Sequence, residues 1–263
     1  MEKKEKKKWR HRSVVLKMNG KILGLAAFTL AVVMIFTLVS SPQIVGVSAT
    51  TRLLPIYSVE KDTKTIAVSF DAAWGNEDTE ELIAILDAYN VKTTFFVVGE
   101  WVDKYPESVK ALHDAGHEVM NHSNDHAHFA SLSADEIVRN VTTCNEKIAA
   151  VTGVTPTLFR APYGEYDDHV IAALDSMGMY TIQWDVDSLD WKDLSAQEIT
   201  QRVTENVTPG SIVLFHNAAL HTPEALPMIF ETLQKEGYEI VPISQLIMME
   251  NYTIDHTGKQ IAN

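Results

Sequence analysis

Six ionisable residues are of the types that carry out metal-assisted hydrolysis. Such sites combine a carboxylate that acts as a base, imidazoles that bind a metal or donate a proton, and a cation that keeps a carboxylate ionised. The six residues are Asp71, His122, His126, Arg160, Asp190 and His216. His122 and His126 are four residues apart, a spacing at which two imidazoles on a helix or tight turn face one metal ion. A His-rich surface loop would show the same spacing, so the pair becomes informative only if other site residues lie beside it.

Each of the other residues has a structural interpretation beside the catalytic one. Asp71 is either a general base for a water molecule or the cap of a helix that begins near residue 79. Arg160 is either a surface cation or the partner that holds a carboxylate ionised. His216 is either a core histidine or the acid that protonates a leaving amine, with Asp190 raising its pKa.

The elements that must position these residues alternate along the chain. Short β-branched or aromatic runs predict strands at 65–70, 93–98, 117–121, 157–160, 179–184, 211–216 and 238–242. Amphipathic segments lie between them, two of which open with capping boxes at Ser133 and Ser195, and a third is expected to be capped by Thr222. Because parallel strands need crossover helices, this alternation predicts a parallel sheet.

Most of the six residues follow a predicted strand directly. Functional residues of parallel α/β folds lie at the carboxyl ends of strands, so we expect them to converge there. An open doubly wound sheet is one alternative, but the segment after the first strand, 71–75, lacks a glycine-rich phosphate turn, which weakens the case for a nucleotide-binding fold. The pattern favours a seven-stranded, barrel-like (β/α) arrangement.

The N-terminal part of the chain differs from the rest. Residues 1–21 form a basic segment with nine Lys or Arg and two Glu, and 22–39 is an uncharged apolar run. The predicted organisation is a cytoplasmic segment (1–21), a transmembrane anchor or signal (22–42), a linker (43–63), a catalytic domain (64–248) and a tail (249–263). A single-pass membrane protein with an extracytoplasmic domain is expected, or a secreted one if the chain is cleaved near Ala49.

The charge balance limits the partners. The net charge is −13, and after residue 21 there are 13 basic and 33 acidic residues. An acidic body repels phosphate backbones, so nucleic acid is not an expected partner. A neutral or cationic substrate is expected instead.

In chain order, these residues resemble the five motifs of the polysaccharide deacetylases with a NodB-homology domain (carbohydrate esterase family four). The matching segments are 69–71 (SFD), 122–126 (HSNDH), 160–164 (RAPYG), 187–191 (DSLDW) and 214–216 (LFH). The match extends over about residues 64–243. The resemblance implies a distorted seven-stranded (β/α) barrel and hydrolysis of an N-acetyl group on an amino sugar of a cell-wall polysaccharide.

The resemblance also implies catalytic roles. Asp71 would be the catalytic base and Arg160 would orient it. His216 would be the acid, and Asp190 would tune it. Active sites that hydrolyse amides stabilise most strongly the negative charge that develops on the tetrahedral intermediate.

Further roles implied by the resemblance concern the metal and the substrate. His122 and His126 would bind a divalent metal, zinc or a similar ion. The backbone N–H of Tyr163 would hold the oxyanion, and Trp191 and Leu214 would line the substrate site.

The first motif departs from the family's usual pattern. The family has two adjacent aspartates there, the second of which is a metal ligand, and this chain has Ala72. Metal binding should therefore be weak unless a nearby residue replaces that ligand, the candidates being Asn76, Glu77, Asp78 and Asp125. The Trp-Gly sequence at 74–75 resembles the sporulation-associated, often membrane-anchored branch, which makes peptidoglycan the expected substrate.

Three functions follow as expectations. The first is a metal-dependent polysaccharide N-deacetylase acting on cell-wall glycan. The second is a non-catalytic glycan-binding or envelope- and spore-assembly protein with a degenerate metal site. The third is a hydrolase of another ester or amide, which the same base, acid and Lewis acid would serve.

Overall fold

The computed structural model describes residues 52–263 and, before them, residues 19, 20, 24, 28–32 and 34. The expected basic segment and membrane helix, and the linker up to residue 51, otherwise lie outside the described residues. Among the residues that are described, no helix has the length and apolar character needed to cross a membrane. Thr51–Asn263 form one compact unit, separate from Met1–Thr50.

The central sheet of this unit is parallel and has the strand order β6-β5-β4-β3-β2-β8-β7. Its strands are β2 (Thr65–Ala72), β3 (Thr94–Val97), β4 (Glu118–Asn121), β5 (Leu158–Phe159), β6 (Tyr180–Thr181), β7 (Val186–Asp187) and β8 (Ile212–His216). The middle strands are buried on both faces, as parallel strands covered by helices are. The sheet curls into a half-barrel.

The helices follow the strands in the alternating order that the sequence predicts. They are α1 (Thr79–Ala88), α2 (Gly99–Lys104), α3 (Pro106–Asp114), α4 (Ala134–Thr152), α5 (Asp168–Ser176), α6 (Ala196–Asn206), α7 (Thr222–Lys235) and α8 (Ile243–Leu246). Both predicted capping boxes are present, at Ser133 with Glu136 and at Ser195 with Glu198. The predicted cap at Thr222 is wrong, because Thr222 is the first residue of α7 and makes no cap bond.

A small second sheet joins the two ends of the unit. β1 (Ser58–Val59) pairs with β11 (Lys259–Ala262), which pairs with β10 (Tyr252–Ile254). Residues 249–263, expected as a tail, therefore form the hairpin of this sheet. The segment before β1 bridges Ile182, which follows β6, and β1 bridges Ser211, which precedes β8, so the N-terminal segment runs from the β6 side of the opening to the start of β8.

The expected seven-stranded barrel needs two corrections. The predicted strand at 238–242 exists as β9 (Glu239–Ile240), but it pairs with the start of β2 outside the main row of strands. The seventh strand of that row is β7, which has two residues and is too short to give a hydrophobic pattern. The half-barrel is consequently open between β6 and β7, not a closed barrel.

Side-chain alternation along β2 places the first site residue. Phe70 and Ala72 belong to the large hydrophobic cluster that packs against the helices. Asp71, between them, faces the other side of the strand, because successive side chains point to opposite faces. It stands at the carboxyl end of β2, in register with His216 of β8.

Candidate active site

Asp71 is held by a buried guanidinium. Arg160 Nη1 donates to Asp71 Oδ1 at 2.8 Å, and Nη2 donates to Ser69 Oγ at 2.9 Å and to the Gln183 carbonyl at 3.2 Å. Burial favours the neutral acid, but neighbouring His122 and Arg160, with the Arg160 hydrogen bond, hold the pKa of Asp71 below its usual value. Asp71 is therefore an ionised carboxylate in a fixed orientation.

Arg160 itself is one of the largest fully buried side chains, so the surface-cation interpretation is wrong. Its guanidinium carbon lies 4.2 Å from the ring centroid of Phe96 and 5.5 Å from that of Trp184. Stacking on aromatic rings and several hydrogen bonds offset the desolvation of the buried charge. Asp71 is not a helix cap either, because Asp78 precedes α1.

His216 is paired with Asp190. Its Nδ1 lies 2.8 Å from Asp190 Oδ1, and its backbone N–H donates to Asp190 Oδ2 at 2.8 Å. Asp190 also accepts from the Trp191 N–H at 2.9 Å and the Thr222 hydroxyl at 2.7 Å. Burial lowers the pKa of His216, but the hydrogen bond and charge of Asp190, with Asp71 nearby, outweigh it and raise that pKa. His216 is thus suited to carry a proton near neutral pH.

His122 and His126 lie side by side, with ring centroids 5.1 Å apart. His122 Nδ1 is 2.8 Å from the Arg160 carbonyl and acts as the donor there, because a carbonyl only accepts. In the neutral imidazole this leaves Nε2, which lies 3.5 Å from Asp71 Oδ2, without a proton. Burial lowers the pKa of His122, and it lowers the pKa of His126 to about 4. Burial therefore favours the neutral form of both imidazoles, which is the form that binds metal.

The metal site that the resemblance implies is incomplete in this chain. Ala72 offers no ligand, and its side chain packs in the hydrophobic cluster. In the part of the chain that the structure describes, no group of three His, Cys, Asp or Glu side chains is arranged to hold a metal ion. Since catalytic zinc sites use three protein ligands, the residues present do not fit such an ion.

The four candidates for replacing the missing ligand have other partners. Asn76 donates to Ser108 Oγ, Glu77 Oε2 accepts from the Asn76 N–H, and Asp78 Oδ2 accepts from the Ala218 N–H. Asp125 Oδ1 accepts from the Asn140 side chain. None of the four lines the cavity beside the two histidines.

A cavity of about 530 Å³ brings most of the predicted residues together. Its lining comprises Asp71, Ala73, Trp74, His122, His126, Tyr163, Gly164, Trp184, Asp187, Trp191, Leu214 and His216. Arg160 and Asp190 lie behind this lining and hold Asp71 and His216. A second cavity of the same volume is lined by Arg52, Asp175, Asp255 and His256 among others, and none of the six predicted residues lines it.

Backbone strain is concentrated around the same cavity. His126, Tyr163 and Leu189, which precedes Asp190, have φ values of 56°, 60° and 55°. Left-handed conformations in residues other than glycine cost on the order of 1 kcal/mol each and persist where the surroundings enforce them. The loops that present the site are therefore fixed before any ligand binds.

Three residues that support the site have no role assigned to them from the sequence. Ser69 and the Gln183 carbonyl position Arg160, and Thr222 positions Asp190. Ser69 could have been found from its place two residues before Asp71, on the same face of the strand. The contact of Thr222 with Asp190 could not be predicted in this way, because a threonine before a proline is typical of a helix cap.

The combination of a half-barrel with motif residues at its strand ends is that of the polysaccharide deacetylases. A family model described as polysaccharide deacetylase matches residues 58–182. The chain is 35% identical over 186 residues to the peptidoglycan-N-acetylglucosamine deacetylase PgdA of Listeria monocytogenes, covering 71% of this chain and 39% of that protein. It is 30% identical over 188 residues to the peptidoglycan-N-acetylmuramic acid deacetylase PdaA of Bacillus subtilis, covering 70% of this chain and 72% of that protein. The chain belongs to the polysaccharide deacetylase family.

Among solved structures, a CE4 family pseudoenzyme from Bacillus anthracis is similar with a TM-score of 0.71 and 34% identity, covering 80% of this chain and 73% of that chain. A mutant of that pseudoenzyme is described as having restored enzymatic activity. The fold of this chain is therefore shared with proteins described as enzymes and with one described as a pseudoenzyme.

Proposed function

We propose that this chain is a hydrolase that removes N-acetyl groups from the amino sugars of cell-wall polysaccharide, with peptidoglycan as the substrate. The observation that carries the proposal is the pairing of an ionised carboxylate, Asp71, with a proton-carrying imidazole, His216, in one cavity. The relatives described as peptidoglycan deacetylases support the substrate.

The chemistry assigned to these residues is amide hydrolysis. Asp71 takes a proton from a water molecule, whose oxygen attacks the acetyl carbonyl carbon. The carbon–nitrogen bond then breaks, and His216 gives its proton to the departing amine. The products are acetate and a free amino sugar. Arg160 keeps the base ionised and Asp190 keeps the acid protonated.

Zinc bound by His122 and His126 is not part of this proposal, because the third ligand is missing. The same fact supports a second candidate function, a glycan-binding or envelope- and spore-assembly protein without catalysis. The described pseudoenzyme with the same fold supports this alternative as well. Both functions require glycan binding, but only the hydrolase releases acetate from the glycan.

Measuring acetate release by the purified full-length chain separates the two functions. N-Acetylglucosamine oligomers and peptidoglycan fragments are the substrates, with and without added zinc, and the Asp71→Asn variant is the control. Release that the variant lacks supports the hydrolase. Glycan binding with no release in any condition contradicts the hydrolase and leaves the second function.

We further propose that residues 22–42 anchor the chain in the cell membrane and that the catalytic domain is extracytoplasmic, with cleavage near Ala49 as the alternative. The apolar run after a basic segment supports this topology. The N-terminal sequences of the protein in the membrane fraction and in the secreted fraction distinguish them, because a cleaved chain begins near residue 50 and is secreted. The sporulation-associated branch is proposed on the first-motif resemblance.

A further inference from the structure

Exposed aromatic side chains are concentrated at one place on the domain. Within residues 52–263 they are Trp74, Tyr163 and Trp191, exposed by 63%, 57% and 55%. All three line the cavity that holds Asp71 and His216. Large aromatic side chains left in water around one cavity mark a binding surface, since the other Phe, Tyr and Trp rings within residues 52–263 are buried or half-buried.

Trp74 is the member of this group to which the family motifs give no role. It stands in the loop after β2, two residues beyond the position of the missing second aspartate. Its ring packs edge-on against His126, with the ring centroids 4.9 Å apart. Tyr163 packs against the same imidazole at 4.6 Å. Trp74 therefore widens the aromatic surface beside the two histidines.

The backbone around Trp74 is held rigidly although its side chain is exposed. The Asn217 side-chain amide donates to the carbonyls of Trp74 and Gly75, and its oxygen accepts from the Ala73 N–H. The Gly75 carbonyl also accepts from the indole of buried Trp101. A ring presented from a fixed loop loses little conformational freedom when a ligand covers it, which favours binding.

The exposed aromatic side chains are divided between two groups of reactive residues. Trp74 and Tyr163 lie beside the histidine pair, and Trp191 follows Asp190, the partner of the acid His216. Aromatic faces are consequently present beside both groups of reactive residues. The apolar faces of pyranose rings stack on such surfaces, and a linear glycan offers one ring after another.

We propose that Trp74 is a specificity-determining residue that stacks on a pyranose next to the N-acetylated one, so that the site takes a linear glycan in preference to a free monosaccharide. This inference rests on the proposed function, since it deepens the substrate class of the same site. It requires glycan binding and does not require turnover.

The test is calorimetric binding of N-acetylglucosamine and its linear β-1,4 tetramer to the full-length chain, with acetate release measured in parallel. We expect Trp74→Ala to weaken tetramer binding by about threefold to tenfold and to leave monomer binding unchanged. Trp74→Phe should retain most of the tetramer affinity. Val154→Ala, which truncates an exposed apolar side chain outside the cavity, is the matched control and should bind as the wild type does.

Three results would overturn the inference. They are tetramer binding by Trp74→Ala that equals the wild type, equal losses for monomer and tetramer, and a wild-type chain that does not prefer the tetramer. Acetate release separates this inference from the proposed function. Tetramer binding that depends on Trp74 without any release refutes the hydrolase alone, and release with unchanged Trp74→Ala binding refutes this inference alone.

Discussion

Replacing Arg160 with methionine tests whether the buried guanidinium keeps Asp71 ionised. Methionine retains an apolar stem between the rings of Phe96 and Trp184 but removes the donors to Asp71 and Ser69. Breaking one side of a buried ion pair leaves an uncompensated charge, which costs about 3–5 kcal/mol. We expect the free energy of unfolding from urea titration to fall by that amount. We also expect hydrolysis at neutral pH to be lost, because the pKa of Asp71 rises.

A double-mutant cycle makes this prediction quantitative. Asp71→Asn in the Arg160→Met background removes the unpaired charge, so the double variant should be more stable than the sum of the two single losses predicts, by about 3 kcal/mol. Lys92→Met, which breaks an ion pair with half-exposed Asp87, is the control and should cost less than about 1 kcal/mol. Losses that add within about 0.5 kcal/mol, or an Arg160→Met loss as small as the control, would refute the reasoning.

Three further predictions concern protonation and metal. Burial lowers the pKa of His117 from 6.5 to about 4, so the unfolded chain binds the proton first and stability falls as pH decreases through that range. The free energy of unfolding should fall by about 3 kcal/mol between pH 7 and pH 4. His117→Asn keeps an acceptor for the Thr93 N–H and should remove this loss, as measured by urea titration at the two pH values. An equal decrease in the variant and the wild type would contradict this. Asp190→Asn should lower the pKa of His216 and move the alkaline limb of the acetate-release profile to lower pH, and an unmoved limb would exclude His216 as the acid. Treatment with a chelator should leave the melting temperature unchanged, and a large decrease would reveal a structural metal.

The sequence predicts the strands of the half-barrel other than β7, because their apolar runs are bounded by turns and helix caps. It also predicts which residues reach the site, since the carboxyl ends of parallel strands share one edge. It does not predict the supporting contacts. Thr222 bonds to Asp190 from the start of a distant helix, and no local pattern in the sequence specifies that contact.

Two structural features could not be predicted from the sequence, for related reasons. β7 has two residues, and β1 has two residues whose pairing with β11 joins opposite ends of the unit. Short strands carry no periodicity, and their place depends on which edges the rest of the sheet leaves open. Arg160 is a different case, because a single arginine looks the same in sequence whether it is buried or exposed.

The short strand β1 also has a mechanical consequence. Ile56 exchanges backbone hydrogen bonds with Thr181 and Gln183, and Val59 donates to the Gly210 carbonyl. A Cβ at Gly210 would lie 1.6 Å from the Val59 carbonyl oxygen, so the crossing is closely fitted. A pull on the N-terminal end of this unit acts along the strand and loads these bonds together in shear, not one after another as in unzipping. A force transmitted through the residues before this segment is therefore shared between bonds to the end of β6 and a bond to the chain just before β8.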